Sequence, residues 1–85
     1  MPYEAKTAIE DKIVRFISDE LGIARDDIDL HANLGIYGLE SVAASKLIGS
    51  LEKDLDVRLS EVLIFEFPTI ASLSGEIHKL TLARA

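Results

Sequence analysis

Apolar residues return at three- and four-residue spacing in three separate stretches of this chain, and that period restricts it to packed helices. Ile9, Ile13, Phe16, Ile17 and Leu21 form one stripe and predict a helix over 7–21, with Glu10, Asp11, Arg15 and Asp19 off it. Gly22 follows as a stop signal. Ala44, Leu47, Ile48, Leu51 and Leu55 form a second stripe and predict a helix over 41–55. Lys46, Glu52, Lys53 and Asp54 lie off it, and Gly49 inside it suggests close packing against another helix. Ile70, Leu73, Ile77 and Leu80 give a third face, with Thr69 as its cap. Between the last two lies a short apolar run, 61–65, with Ser60 as its N-cap and Pro68 beyond its end. Val57-Arg58-Leu59 has a strand-like composition but no partner segment. The expectation is an all-α fold: a four-helix bundle with a long loop between the first and second helices and a short third helix.

The long connection, 22–40, holds no helical period. Asp26, Asp27, Asp29, Asn33, Gly35 and Gly38 are turn formers, yet Ile23, Ile28, Leu30, Leu34, Ile36 and Leu39 are apolar. Such a loop should be ordered, with its apolar residues pinning it to the core and a short helical turn within it.

Length bounds the rest. A chain of 85 residues fits one domain, 1–85, with a folded core over about 7–80. Its stability should be modest, roughly 4–13 kcal/mol. With 48% hydrophobic residues but only 6% aromatic and no Trp, the core is aliphatic. Phe16, Phe65 and Phe67 are expected inside it. Absence of cysteine excludes disulfides, thiolate metal sites and cysteine nucleophiles. Fifteen acids against nine bases give a formal charge of -6, which argues against nucleic-acid binding and favours partners with basic docking surfaces. No apolar run approaches a membrane span of about 20 residues, and Met1 to Lys6 lack the pattern of a signal peptide. A soluble, cytoplasmic chain is expected.

One segment carries chemistry. Tyr37-Gly38-Leu39-Glu40-Ser41-Val42 places a serine at the expected start of the second helix, after a glycine-marked turn. One reading is an ordinary N-cap, its hydroxyl accepting from a backbone N–H one turn ahead. The other is an attachment point for a phosphate-linked group, because free N–H groups and the helix dipole favour an anion there.

The run Leu34-Gly35-Ile36-Tyr37-Gly38-Leu39-Glu40-Ser41-Val42 resembles the attachment motif of acyl carrier proteins, most closely that of polyketide synthase carrier domains, where Gly-X-Asp-Ser-Leu is usual. The segment from Ser60 to Ile70 is similar to the family's joint between third and fourth helices, and the resemblance covers about 7–80. It implies a 4'-phosphopantetheine arm attached to Ser41 by a phosphopantetheinyl transferase. The arm's thiol would hold acyl or polyketide intermediates as thioesters. Ketosynthase, acyltransferase or other acyl-processing enzymes would be the partners of a monomeric, non-catalytic carrier in polyketide or fatty-acid assembly. Partner docking in the family maps onto Glu40, Val42, Ala43 and Lys46.

Two departures bear on this. Glu40 stands where Asp is usual, and Glu is the poorer cap. Val42 replaces Leu with a stiffer, smaller side chain. Alternatives are a peptidyl carrier of a nonribosomal peptide system and an unmodified helical interaction module.

Other candidates fit less well. Asp26, Asp27 and Asp29 lack the glycine and closing Glu of a calcium loop. His31 and His78 match no metal-motif spacing and are expected at the surface. Ser41 lacks the Gly-X-Ser-X-Gly pattern of a nucleophile elbow and has no evident base. No metal site and no catalytic pair is expected.

Overall fold

A computed structural model describes residues 5–39 and 42–84. Four helices follow one another: α1 Lys6–Leu21, α2 Val42–Leu55, α3 Val62–Glu66 and α4 Ile70–Arg84. The all-α expectation holds. Among the described residues there is no strand, only an isolated bridge between Asn33 and Thr69. The segment Val57-Arg58-Leu59 is irregular, with Val57 buried.

α1 packs chiefly on α4 and secondarily on α2. Ile9, Ile13 and Ile17, one turn apart, are its buried residues, and Phe16 and Leu21 are half-buried against the same core. Gly22 ends the helix at φ 70°, a left-handed conformation open to glycine, and its N–H reaches the Ser18 carbonyl at 3.0 Å. Ala44, Leu47, Ile48 and Leu51 are the buried residues of α2, with Leu55 half-buried.

The buried stripe of α4 is Ile70, Leu73, Ser74, Ile77 and Thr81, leaving Leu80 half-buried. A 3.6-residue period drifts past position 80 and carries 81 to the centre of the face, which the apolar pattern alone conceals. Thr69 caps α4 as expected. Its Oγ1 accepts from the Ser72 N–H at 3.1 Å, and Ser72 Oγ accepts in return from the Thr69 N–H at 3.2 Å. At α3 the capping position belongs to Glu61, whose side chain makes no cap bond; the Ser60 hydroxyl still accepts from the Val62 N–H at 3.2 Å.

Further sequence expectations need correction. Gly49 is not a close-packing residue: it is exposed, and a Cβ built there meets nothing within 4 Å. Phe65 is not in the core but 74% exposed. His78 is half-buried, whereas His31 is at the surface. Gly49 misleads because composition cannot say which face of a helix meets a neighbour. Phe65 misleads because a five-residue helix built as Val-Leu-Ile-Phe-Glu cannot turn all its apolar side chains inward.

The long loop is ordered by two single-turn 3₁₀ helices, Arg25–Asp27 and Leu34–Tyr37. Ile28, Leu34 and Leu39 are buried, and Ile23 and Leu30 are packed against them. Ile36, expected to pin the loop as well, points outward. Backbone bonds tie the loop to the α3–α4 joint. The Leu34 N–H donates to the Pro68 carbonyl at 2.7 Å, and the Ala71 N–H donates to the Leu30 carbonyl at 3.0 Å.

Candidate functional site

The loop segment ahead of α2 is built from local hydrogen bonds. Asn33 Oδ1 accepts from the Gly35 N–H at 2.7 Å and starts the second 3₁₀ turn. The Tyr37 hydroxyl accepts from the Asp29 N–H at 2.7 Å, bracing that turn against the earlier part of the loop. Asp29 Oδ1 accepts from the His31 N–H at 2.8 Å, closing a local turn. These contacts give the Asp29 side chain a structural task in its loop.

Gly38 then takes φ 73°, ψ 20°, and its N–H returns to the Gly35 carbonyl at 3.0 Å. This left-handed residue redirects the chain after the turn. Leu39 follows, buried at 1% exposure, with its N–H toward the Leu34 carbonyl at 3.4 Å. Glu40 and Ser41 lie outside the described residues. On the other side Val42, already helical, is 69% exposed. The two residues are therefore bracketed by an inward anchor and an outward helix start.

The first turn of α2 carries no acidic side chain. Its leading N–H groups have no acceptor within the helix, and its dipole presents a partial positive charge. A phosphodiester at that end would meet no carboxylate from the first turn. Beside it lies a groove of about 330 Å³ lined by Val42, Ala44, Ser45, Glu61 and Phe65. The groove joins apolar Val42, Ala44 and Phe65 to the hydroxyl of Ser45 and the carboxylate of Glu61.

Of the expected docking residues, Val42 is exposed, Ala43 is half-buried against the core and Glu40 is outside the described residues. Lys46 is occupied: its Nζ donates to Glu20 Oε1 at 2.8 Å, tying α2 to α1. Sequence reasoning missed Phe65, which lines this groove, and the exposure of Val62 and Ile36. A signal was present for two of them. Val62 and Phe65 are three apart and share one face of α3, while Ile64 must face inward.

Other grooves lack comparable chemistry. One between α1 and α2, about 220 Å³, mixes Lys12, Arg15, Asp19, Glu20 and Asp54 with Ser50, well into α2. Among the described residues, no group of three or more His, Cys, Asp or Glu could hold a metal ion, and no helix is long and apolar enough to cross a membrane.

Comparison with known proteins bears on this corner. The family model described as "Phosphopantetheine attachment site" matches residues 11–77. Polyketide synthase PksM of Bacillus subtilis is 35% identical over 72 residues, which is 85% of this chain but 2% of that protein. Nonribosomal peptide synthetase SIDC of Beauveria bassiana is 35% identical over 69 residues, 81% of this chain and 1% of that protein. The solution structure of Asl1650 from Anabaena superposes with a TM-score of 0.85 at 33% identity, covering 95% of this chain and 92% of that one. It is described as an acyl carrier protein with a variant phosphopantetheinylation-site sequence.

Proposed function

This chain belongs to the phosphopantetheine attachment-site family, the carrier domains of polyketide and nonribosomal peptide synthases, and we propose that its Ser41 bears the arm. 4'-Phosphopantetheine is the covalent cofactor of that family, and its thiol supplies the thioester to which cargo is attached. The observation that carries the assignment to Ser41 is the bracketing of residues 40–41 between buried Leu39 and exposed Val42, at a helix end whose first turn is free of carboxylates. The N–H groups of that turn would hold the phosphate. Gly38 turns the chain after the 3₁₀ helix, and Leu39 anchors it to the core just before the motif pair.

Carrier domains of this kind are generally non-catalytic, and a carrier in such synthases implies acyl-processing enzymes as partners. In our reading residues 1–85 act as one monomeric carrier domain in the cytoplasm and catalyse nothing themselves. The domain presents tethered acyl or polyketide intermediates to a ketosynthase or acyltransferase, and tethering raises their effective concentration. Glu40 and Val42 are then tolerated departures from the usual motif. The variant attachment-site sequence in the description of the Anabaena carrier supports that tolerance. Similarity to a nonribosomal peptide synthetase keeps a peptidyl cargo as the second reading.

Incubation with a broad-specificity phosphopantetheinyl transferase and coenzyme A should add one phosphopantetheinyl mass to the chain. Ser41→Ala should remain at its original mass. Loading from acyl-coenzyme A rather than aminoacyl-coenzyme A is expected. A wild-type chain left unmodified by every transferase tried would replace this reading with that of an interaction module.

A further inference from the structure

Tyr37 ends the second 3₁₀ turn of the long loop, shortly ahead of Ser41, and its side chain does two separable things. The ring is half-buried and packs against the core. The hydroxyl reaches back along the loop and accepts from the Asp29 N–H at 2.7 Å. For the core the ring suffices, since a phenyl group would fill the same space. Asp29 is exposed, so its N–H would find water if the hydroxyl were absent. The bond therefore adds little to the bundle, and its effect is on the shape of the loop.

That shape is held from several sides. The first half of the loop is fastened to α4, where the Leu30 carbonyl accepts from the Ala71 N–H. The second half is fastened to the α3–α4 joint, where the Leu34 N–H donates to the Pro68 carbonyl. Each half also holds its own turn, through Asp29 Oδ1 on the His31 N–H and Asn33 Oδ1 on the Gly35 N–H. Between buried Leu34 and buried Leu39 the chain passes exposed Ile36 and left-handed Gly38. The Tyr37 bond ties that stretch to residue 29. It closes the third side of a triangle whose other sides are the two backbone bonds to the α3–α4 region.

We propose that the Tyr37 hydroxyl is a positioning group for modification at Ser41. It holds the 33–39 turn in the arrangement that a phosphopantetheinyl transferase accepts, so the enzyme does not have to order the loop itself. Tyr37 acts through the backbone that follows it and takes no part in the transfer of the phosphate. A substrate whose competent form is only partly populated binds more weakly by that fraction, while the bound complex reacts as before. This inference rests on the reading of Ser41 as the attachment point.

The test compares the unmodified 85-residue chain with its Tyr37→Phe variant as substrates of the transferase, with coenzyme A saturating. Tyr37→Phe should raise KM for the chain about threefold or more, within the worth of one hydrogen bond, and leave kcat within about twofold. Amide hydrogen exchange reads the loop without any enzyme. The Gly38 and Leu39 amides, both hydrogen-bonded in the turn, should exchange about threefold faster or more in Tyr37→Phe. The amides of α1 and α4 should stay within about twofold of wild type.

A KM for Tyr37→Phe within about 1.5-fold of wild type overturns the proposal. So does a fall in kcat with KM unchanged, which would place Tyr37 in the transfer step. Equal acceleration of exchange in the loop and in both helices would make the hydroxyl a support of the whole bundle, and also overturns it. If the wild type is not modified at all, the Ser41 reading itself has failed, an outcome distinct from these.

Discussion

Ser74 sits in the middle of α4 at 0% exposure, and its hydroxyl has no hydrogen-bond partner among the described residues. Thr81, also buried, returns its hydroxyl to the His78 carbonyl at 2.8 Å, so the two differ in satisfaction rather than in burial. A hydroxyl taken from water without a replacement bond costs about 1–3 kcal/mol. Ala removes the oxygen and is a better helix former. Ser74→Ala should therefore raise stability by about 1 kcal/mol, read as an increase in urea midpoint at constant m-value. A lowered midpoint would mean that the hydroxyl has a partner within the core.

The helices themselves hold one avoidable weakness. Gly49 lies inside α2 with open space where a side chain would be, so its glycine serves no close approach. Gly49→Ala should stabilise by about 0.5–1 kcal/mol, through helix propensity and a less flexible unfolded chain. Thermal unfolding would detect it, and a decrease would show that the site is crowded after all. The exposed pairs on α1, Lys6–Glu10 at 3.2 Å and Arg15–Asp11 at 2.7 Å, are i,i+4 contacts worth only about 0.3–0.5 kcal/mol each. Packing of the apolar faces decides whether α1 forms.

At the scale of the molecule, stability rests on α1 against α4, with the loop fastened to the α3–α4 joint. Ile13 is the centre of the α1 stripe and has no exposed surface. Ile13→Ala should cost about 2–5 kcal/mol, from lost transfer energy and the cavity left behind. Set against roughly 4–13 kcal/mol for a chain of this size, that loss takes a substantial share of the stability and should lower the urea midpoint clearly. A midpoint shift equivalent to less than about 1 kcal/mol would place the real core elsewhere. Because the loop bonds to Pro68 and Ala71, loosening the bundle should also loosen the segment leading to Ser41.

Much of this was legible before any coordinates. Period alone located the first, second and fourth helices, because a helix facing a core must repeat its apolar residues every three or four positions. The first was placed to within a residue, and the fourth runs four residues past its last periodic apolar residue, Leu80. Gly22 and Thr69 marked ends correctly, because a left-handed φ and a side-chain cap are local matters of covalent geometry. The resemblance carried by the serine segment and by the run from Ser60 to Ile70 pointed to a carrier without any contact being known. Tertiary structure alone decided which apolar residues would lose the contest for the interior. Phe65 and Ile36 were left outside, Lys46 was drawn to Glu20, and Gly49 was left facing open space. Those outcomes depend on what each face meets across the bundle, and a linear pattern carries no record of its neighbours in space.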